Sequence, residues 1–132
     1  ANHEARNFYK WTSPQGTDQT YGIYVTYKLP STFSAFSDAN TMKLTALTDN
    51  TTNANATLQV FRKNVSGNTI VSCGSATTIN NTANTWQQTS FGGDETACGF
   101  VGGDYVIFKI NVTAKSSGNV YVENLDFTYT NQ

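Results

Sequence analysis

Only one histidine, two cysteines and two prolines occur among 132 residues, and charged side chains make up 13% of the chain. Each scarcity closes off a class of chemistry. The one histidine, His3, stands at the start of the sequence, so no other imidazole is at hand to serve as base in a serine or cysteine triad. No Gly-X-Ser-X-Gly elbow, P-loop or Gly-X-Gly-X-X-Gly turn occurs. Eight Lys and Arg against nine Asp and Glu leave a net charge of −1 with no run of one sign. The basic footprint that nucleic acid or an anionic membrane requires is therefore missing. No apolar stretch approaches the ~18 residues that span a bilayer, so membrane insertion is not expected. Zinc would need more Cys and His ligands than are present. Nine carboxylates could formally supply a glycosidase pair about 5 to 10 Å apart. Asp18, Asp38, Asp49, Asp94, Glu95, Asp104, Glu123 and Asp126 mostly fall in turn-like contexts, where local hydrogen bonding accounts for them. The expectation is a protein that is not an enzyme and needs no cofactor.

Thr, Asn and Ser fill the polar positions, and an aromatic content of 13% argues against disorder, since such side chains seek burial. The length suits one ordinary domain with a buried core, so residues 1–132 are read as a single unit. Beginning at Ala1, the sequence fits a secreted product freed of its leader, or a trimmed chain. Cys73 and Cys98 sit in Ser-Cys-Gly and Ala-Cys-Gly contexts and read as one disulfide closing a loop of about 25 residues, worth roughly 3 kcal/mol. Two buried free thiols are the plainer alternative. Asn50, Asn55, Asn64, Asn80 and Asn111 each begin an Asn-X-Ser/Thr sequon. With 15 Asn and 31 Ser and Thr, most of these arise by chance, so they permit glycosylation without showing it.

The dominant period is two, the signature of strands. In Tyr21-Gly-Ile-Tyr-Val-Thr-Tyr-Lys-Leu29 the odd positions point inward, and Pro30 ends the strand. Residues 31–40 suggest a short helical turn placing Phe33 and Phe36 over one end of the core. Met42, Leu44 and Ala46 alternate next, residues 48–56 are turn-like, and Leu58 and Val60 face in while Phe61 faces out. Shorter strands are expected over residues 70–73 and 85–91. Val106, Phe108, Ile110 and Val112 form an inner face with Tyr105, Ile107 and Lys109 opposite. Apolar positions shift from even at Val120 and Val122 to odd at Leu125, Phe127 and Tyr129, which predicts a bulge near Glu123-Asn124. With residues 7–11, about eight strands result: an all-β, antiparallel two-sheet β-sandwich of jelly-roll type.

Three surface features could carry function. Asp38 with Asn40, Asp94 with Glu95, and Asp104 after its glycine pair, are the ligand types Ca2+ takes, although no twelve-residue calcium loop backs them and solvated turn acids are the simpler reading. Tyr24, Phe61 and Tyr105 fall on outer faces, with Trp11 and Trp86 of uncertain orientation; several sharing one surface would form a platform for a sugar ring. For Trp86 the favoured reading is a core residue of a strand. Residues 1–13, with Phe8, Tyr9 and Trp11, form either the first strand of their own sandwich or an exchangeable strand that pairs with a neighbouring subunit.

Lys28-Leu29-Pro30 followed by Phe33 and Phe36, then Thr85-Trp86, Gly103-Asp104-Tyr105 and Val122-Glu-Asn-Leu-Asp-Phe-Thr-Tyr129, resemble a known type. Across residues 19–129 the chain is similar to jelly-roll modules of bacterial surface and appendage proteins and of phage tail or fibre proteins, and more distantly to carbohydrate-binding modules. That resemblance implies an exposed, non-catalytic module, and no family ligand residue can be carried over to a position here. The leading expectation is an extracellular structural or adhesive unit of a fibre, appendage or virion surface that self-associates. The alternative is a carbohydrate-binding module that takes a glycan.

Overall fold

The structure, a computed structural model, describes residues 8–38 and 40–132. It is all β: β1 (Tyr9–Thr12), β2 (Gln19–Lys28), β3 (Phe33–Phe36), β4 (Lys43–Thr48), β5 (Ala54–Lys63), β6 (Ile70–Ser72), β7 (Thr77–Thr78), β8 (Gln87–Ser90), β9 (Tyr105–Ala114), β10 (Asn119–Asp126) and β11 (Tyr129–Asn131). One antiparallel sheet runs β1-β10-β4-β8 and the facing, five-stranded one β2-β9-β5-β6, with β7 also paired to β5, while β11 and β3 form a two-stranded cap. Setting aside the cap strands β3 and β11 and the two-residue β7 leaves eight strands in the two facing sheets, whose chain-order numbers give 1-8-3-6 and 2-7-4-5. This interleaving is the two-sheet jelly roll. Its core follows from alternation on the central strands: Ala54, Ala56, Leu58 and Val60 on β5 and Val106, Phe108, Ile110 and Val112 on β9 face Leu44, Ala46, Val120 and Val122 across the sandwich.

The register of β10 against β4 shifts between Val122 and Asn124, which is the expected bulge. The extra residue turns Leu125 toward the side that Val120 and Val122 face. Residues 31–40 differ from expectation. Phe33 and Phe36 are both buried, as an i, i+3 helical pair would be, but they belong to a strand. Phe36 pairs with Tyr129 and Phe33 with Asn131, with Ser34 left over. That irregularity puts two phenylalanines three residues apart on one face. They meet at 5.0 Å and join Phe100, Phe127 and Tyr129 to close one end of the core. The turn expected over 48–56 is narrower, since β4 continues to Thr48 and β5 starts at Ala54.

The odd residues of β2 share the face of the buried β9 residues, as the alternation requires, since Tyr21 pairs with Val112, Val25 with Phe108 and Tyr27 with Val106. Yet Tyr21, Val25 and Tyr27 remain 55%, 41% and 37% exposed. β2 is a sheet edge, and the β1 edge opposite it is four residues long. Trp11 stacks on Tyr21 at 5.4 Å, leaving the middle of β2 uncovered. Of residues 1–13, positions 1–7 lie outside the described residues, while Tyr9–Thr12 pairs with β10 of its own chain.

Two cross-links tie the loops down. Cys73 and Cys98 form a disulfide with Cα atoms 5.2 Å apart. Asp104, fully buried, accepts from Arg62 Nε at 2.7 Å and from the backbone N–H groups of Val65 at 3.1 Å and Val101 at 3.0 Å.

Candidate functional site

A strand in a two-layer sandwich shows one face to the core and the other to solvent, so outward side chains of neighbouring strands line up in rows. On the β2-β9-β5-β6 sheet these rows are Gly22–Asn111–Thr57, Tyr24–Lys109–Gln59, Thr26–Ile107–Phe61–Ser72 and Lys28–Tyr105–Lys63–Ile70. Tyr24, Phe61 and Tyr105, far apart in sequence, thus share one surface. Tyr24, Thr26, Phe61, Ile70, Ile107 and Lys109 line a depression of about 380 Å³. Tyr24 is 63% exposed, and the Lys109 ammonium lies 5.9 Å from its ring centroid. Tyr105 has Lys28 and Lys63 at 5.7 and 5.4 Å from its ring. The floor is apolar and the surround is hydroxyl, amide and ammonium, which suits a ligand with both C–H and O–H surfaces.

The two tryptophans are elsewhere. Trp11 faces the seam between the sheet edges, where its indole N–H donates to the Gln19 carbonyl at 2.9 Å. Trp86 lies on the other sheet's outer side with Phe8 and Tyr121, at 6.2 and 6.4 Å, and Lys10 stands 5.8 Å from the Tyr121 ring. Sequence reasoning missed Tyr121, although its place between the inward Val120 and Val122 put it outside by alternation. It also missed Ile70, whose place in the depression depends on β6 pairing with β5.

The acids do other work. Asp38 accepts the Asn40 N–H at 2.7 Å within its own turn. Asp104 spends both oxygens on the brace described above; burial pushes its carboxyl up, but the Val101 N–H, the Arg62 guanidinium and the Val65 N–H outweigh this and hold it below the usual range. Glu95, fully buried, accepts the Met42 N–H at 3.0 Å through Oε1, and Oε2 has no partner; burial raises its pKa, and the nearby Asp94 and Asp38 add to the rise. Among the described residues no three His, Cys, Asp or Glu side chains are grouped as cation ligands. No helix among them is long and apolar enough to cross a membrane.

Of the sequon asparagines, Asn50 and Asn80 are exposed in loops, whereas Asn55, Asn64 and Asn111 are half-buried. Asn111 lies in the sheet platform beside Gly22.

No protein-family model matches the sequence, and no curated protein matches it. Among solved structures the chain is similar to a carbohydrate-binding module, TmCBM61 in complex with β-1,4-galactotriose, with a TM-score of 0.47 and 8% identity over 88% of this chain and 67% of that one.

Proposed function

We propose that the protein is a non-catalytic, extracytoplasmic glycan-binding module whose ligand lies across the outer face of the five-stranded sheet. The observation that carries this reading is the depression where Tyr24 and Phe61, from β2 and β5, flank Ile107 of β9 beside hydrogen-bonding side chains. Sugar rings offer apolar C–H faces that stack on such a floor and hydroxyls that reach Thr26, Gln59 and Lys109 around it. The disulfide fits an oxidising compartment, where glycans are met. Titration calorimetry against soluble polysaccharides tests the reading. Tyr24→Ala and Phe61→Ala should each weaken binding by about tenfold or more, the worth of a partly buried aromatic, with the unfolding temperature of Tyr24→Ala unchanged. Binding indifferent to both substitutions would place the site elsewhere.

A second reading, a self-associating structural unit, is favoured by the free edge of β2. Ten residues, Gln19 to Lys28, present an edge that no described strand pairs, with no proline, no bulge and no inward charge. Those are the devices that normally protect an edge. The Leu29 N–H donates toward β9, to the Asp104 carbonyl, so by alternation Thr20, Gly22, Tyr24, Thr26 and Lys28 point their backbone groups outward. An antiparallel pair of β2 strands about a two-fold at Ile23 would set Tyr21 against Val25, Gly22 against Tyr24, Thr20 against Thr26 and Asp18 against Lys28. Sedimentation then separates the outcomes. Thr26→Pro and Asp18→Lys should each yield monomer, and Asp18→Lys with Lys28→Asp should restore the dimer. A wild-type chain that stays monomeric at millimolar concentration would end this reading.

A further inference from the structure

Lys28, Lys63 and Lys109 all rise from the outer face of the five-stranded sheet, and no carboxylate stands in the same rows. Among the described residues the ion pairs are Arg62 with Asp104 and Lys115 with Asp18, so none of these three lysines is paired with a described carboxylate. Each instead leans over a tyrosine that belongs to the platform: Lys28 and Lys63 over Tyr105, Lys109 over Tyr24. In a chain of net charge −1, three of eight cations are thus gathered on one aromatic surface with no counter-charge in its rows among the described residues. Like charges held together repel, and an anion laid across them removes that repulsion.

We infer that the glycan this face takes is anionic, a polysaccharide bearing carboxylates or sulfates. The inference rests on the face being the glycan site and adds the class of ligand. Sugar rings stack on Tyr24, Phe61 and Tyr105, while their acid groups meet Lys28, Lys63 and Lys109. A single-stranded nucleic acid also combines stacking with negative charge, but among the described residues the sheet rows carry no basic stripe continuing beyond these three. The surrounding Thr, Asn and Gln side chains match hydroxyls better than a phosphate backbone.

The test is affinity measurement for polygalacturonate, neutral galactan, a sulfated galactan and oligo-dT, on wild type and on the single variants Lys28→Ala, Lys63→Ala, Lys109→Ala and Lys43→Ala, the last taken from the opposite sheet. An anionic glycan should bind at least tenfold more tightly than galactan. That preference should shrink several-fold in each of the first three variants, persist in Lys43→Ala and weaken as salt rises. Whether the carboxylate or the sulfate arm binds tighter identifies the acid group. Equal binding of neutral and anionic galactans would overturn the inference and leave the glycan reading standing; binding of none would overturn both. Polyanion affinity that falls as much in Lys43→Ala, or oligo-dT binding tighter than either acidic glycan, would also overturn it.

Discussion

Asp104→Asn is the sharpest test of how the loops around the platform are held. The wild-type carboxylate serves three donors, one on Oδ1 and two on Oδ2. An amide has a single acceptor oxygen, so whichever way it turns, its NH2 group faces the Val65 N–H on one side or Arg62 and Val101 on the other. At least one donor to this buried group loses its partner, a cost of about 1–3 kcal/mol, and Arg62 loses its counter-charge. The Arg62 side chain is 21% exposed and recovers part of that through water, so the total is about 3 kcal/mol. For a chain of this length that lowers Tm by about 10 °C. The gap must also depend on pH. Because the folded-state pKa of Asp104 lies below its unfolded value, its contribution is fully present above the unfolded pKa and disappears as pH falls through the folded one. Thermal melts from pH 7 down to pH 3 should show wild type and variant converging on the acid side. A Tm within about 2 °C of wild type at pH 7 would refute the reasoning, because it would mean the brace contributes nothing net.

Glu95 has the opposite sign. Its pKa is raised in the fold, so the stability associated with its neutral form is present below the unfolded pKa and lost as pH climbs through the folded value. Glu95→Gln keeps an acceptor for the Met42 N–H and should match or exceed wild type at pH 7 while losing the advantage near pH 4; melts across that range check it, and a variant much weaker at pH 7 would contradict it. Reduction of the Cys73–Cys98 bridge, which spans 25 residues, should cost roughly 3 kcal/mol and lower Tm by on the order of 10 °C. An unchanged melt under reductant would show that the bridge does not restrain the unfolded chain.

Much of the fold was legible because a strand's alternation is local information. Val106, Phe108, Ile110 and Val112 announced a buried face, and the change of phase after Val122 announced a bulge that the register confirms. What misled was non-local. Phe33 and Phe36 carry a helical spacing, and only pairing with β11, with its irregularity, makes that spacing compatible with a strand. On β2 the alternation correctly gave the face of Tyr21, Val25 and Tyr27, but burial requires an opposite sheet, and its β1 edge is too short to cover them.

The candidate site divides in the same way. Residues 24, 61 and 105 were marked as outward-facing from their own strands alone, and so were Ile107 and Lys109. That these side chains form one surface, while Trp11 and Trp86 do not join it, was decided by strand order, which places β9 between β2 and β5. Sequence by itself determined which side of its strand each residue occupies, because the pleat alternates every residue whatever the neighbours are. Tertiary structure alone decided which strands lie side by side and how far each sheet reaches over the other, because pairing joins segments as far apart in sequence as Tyr9 and Val122, whose backbone hydrogen bonds carry no side-chain identity.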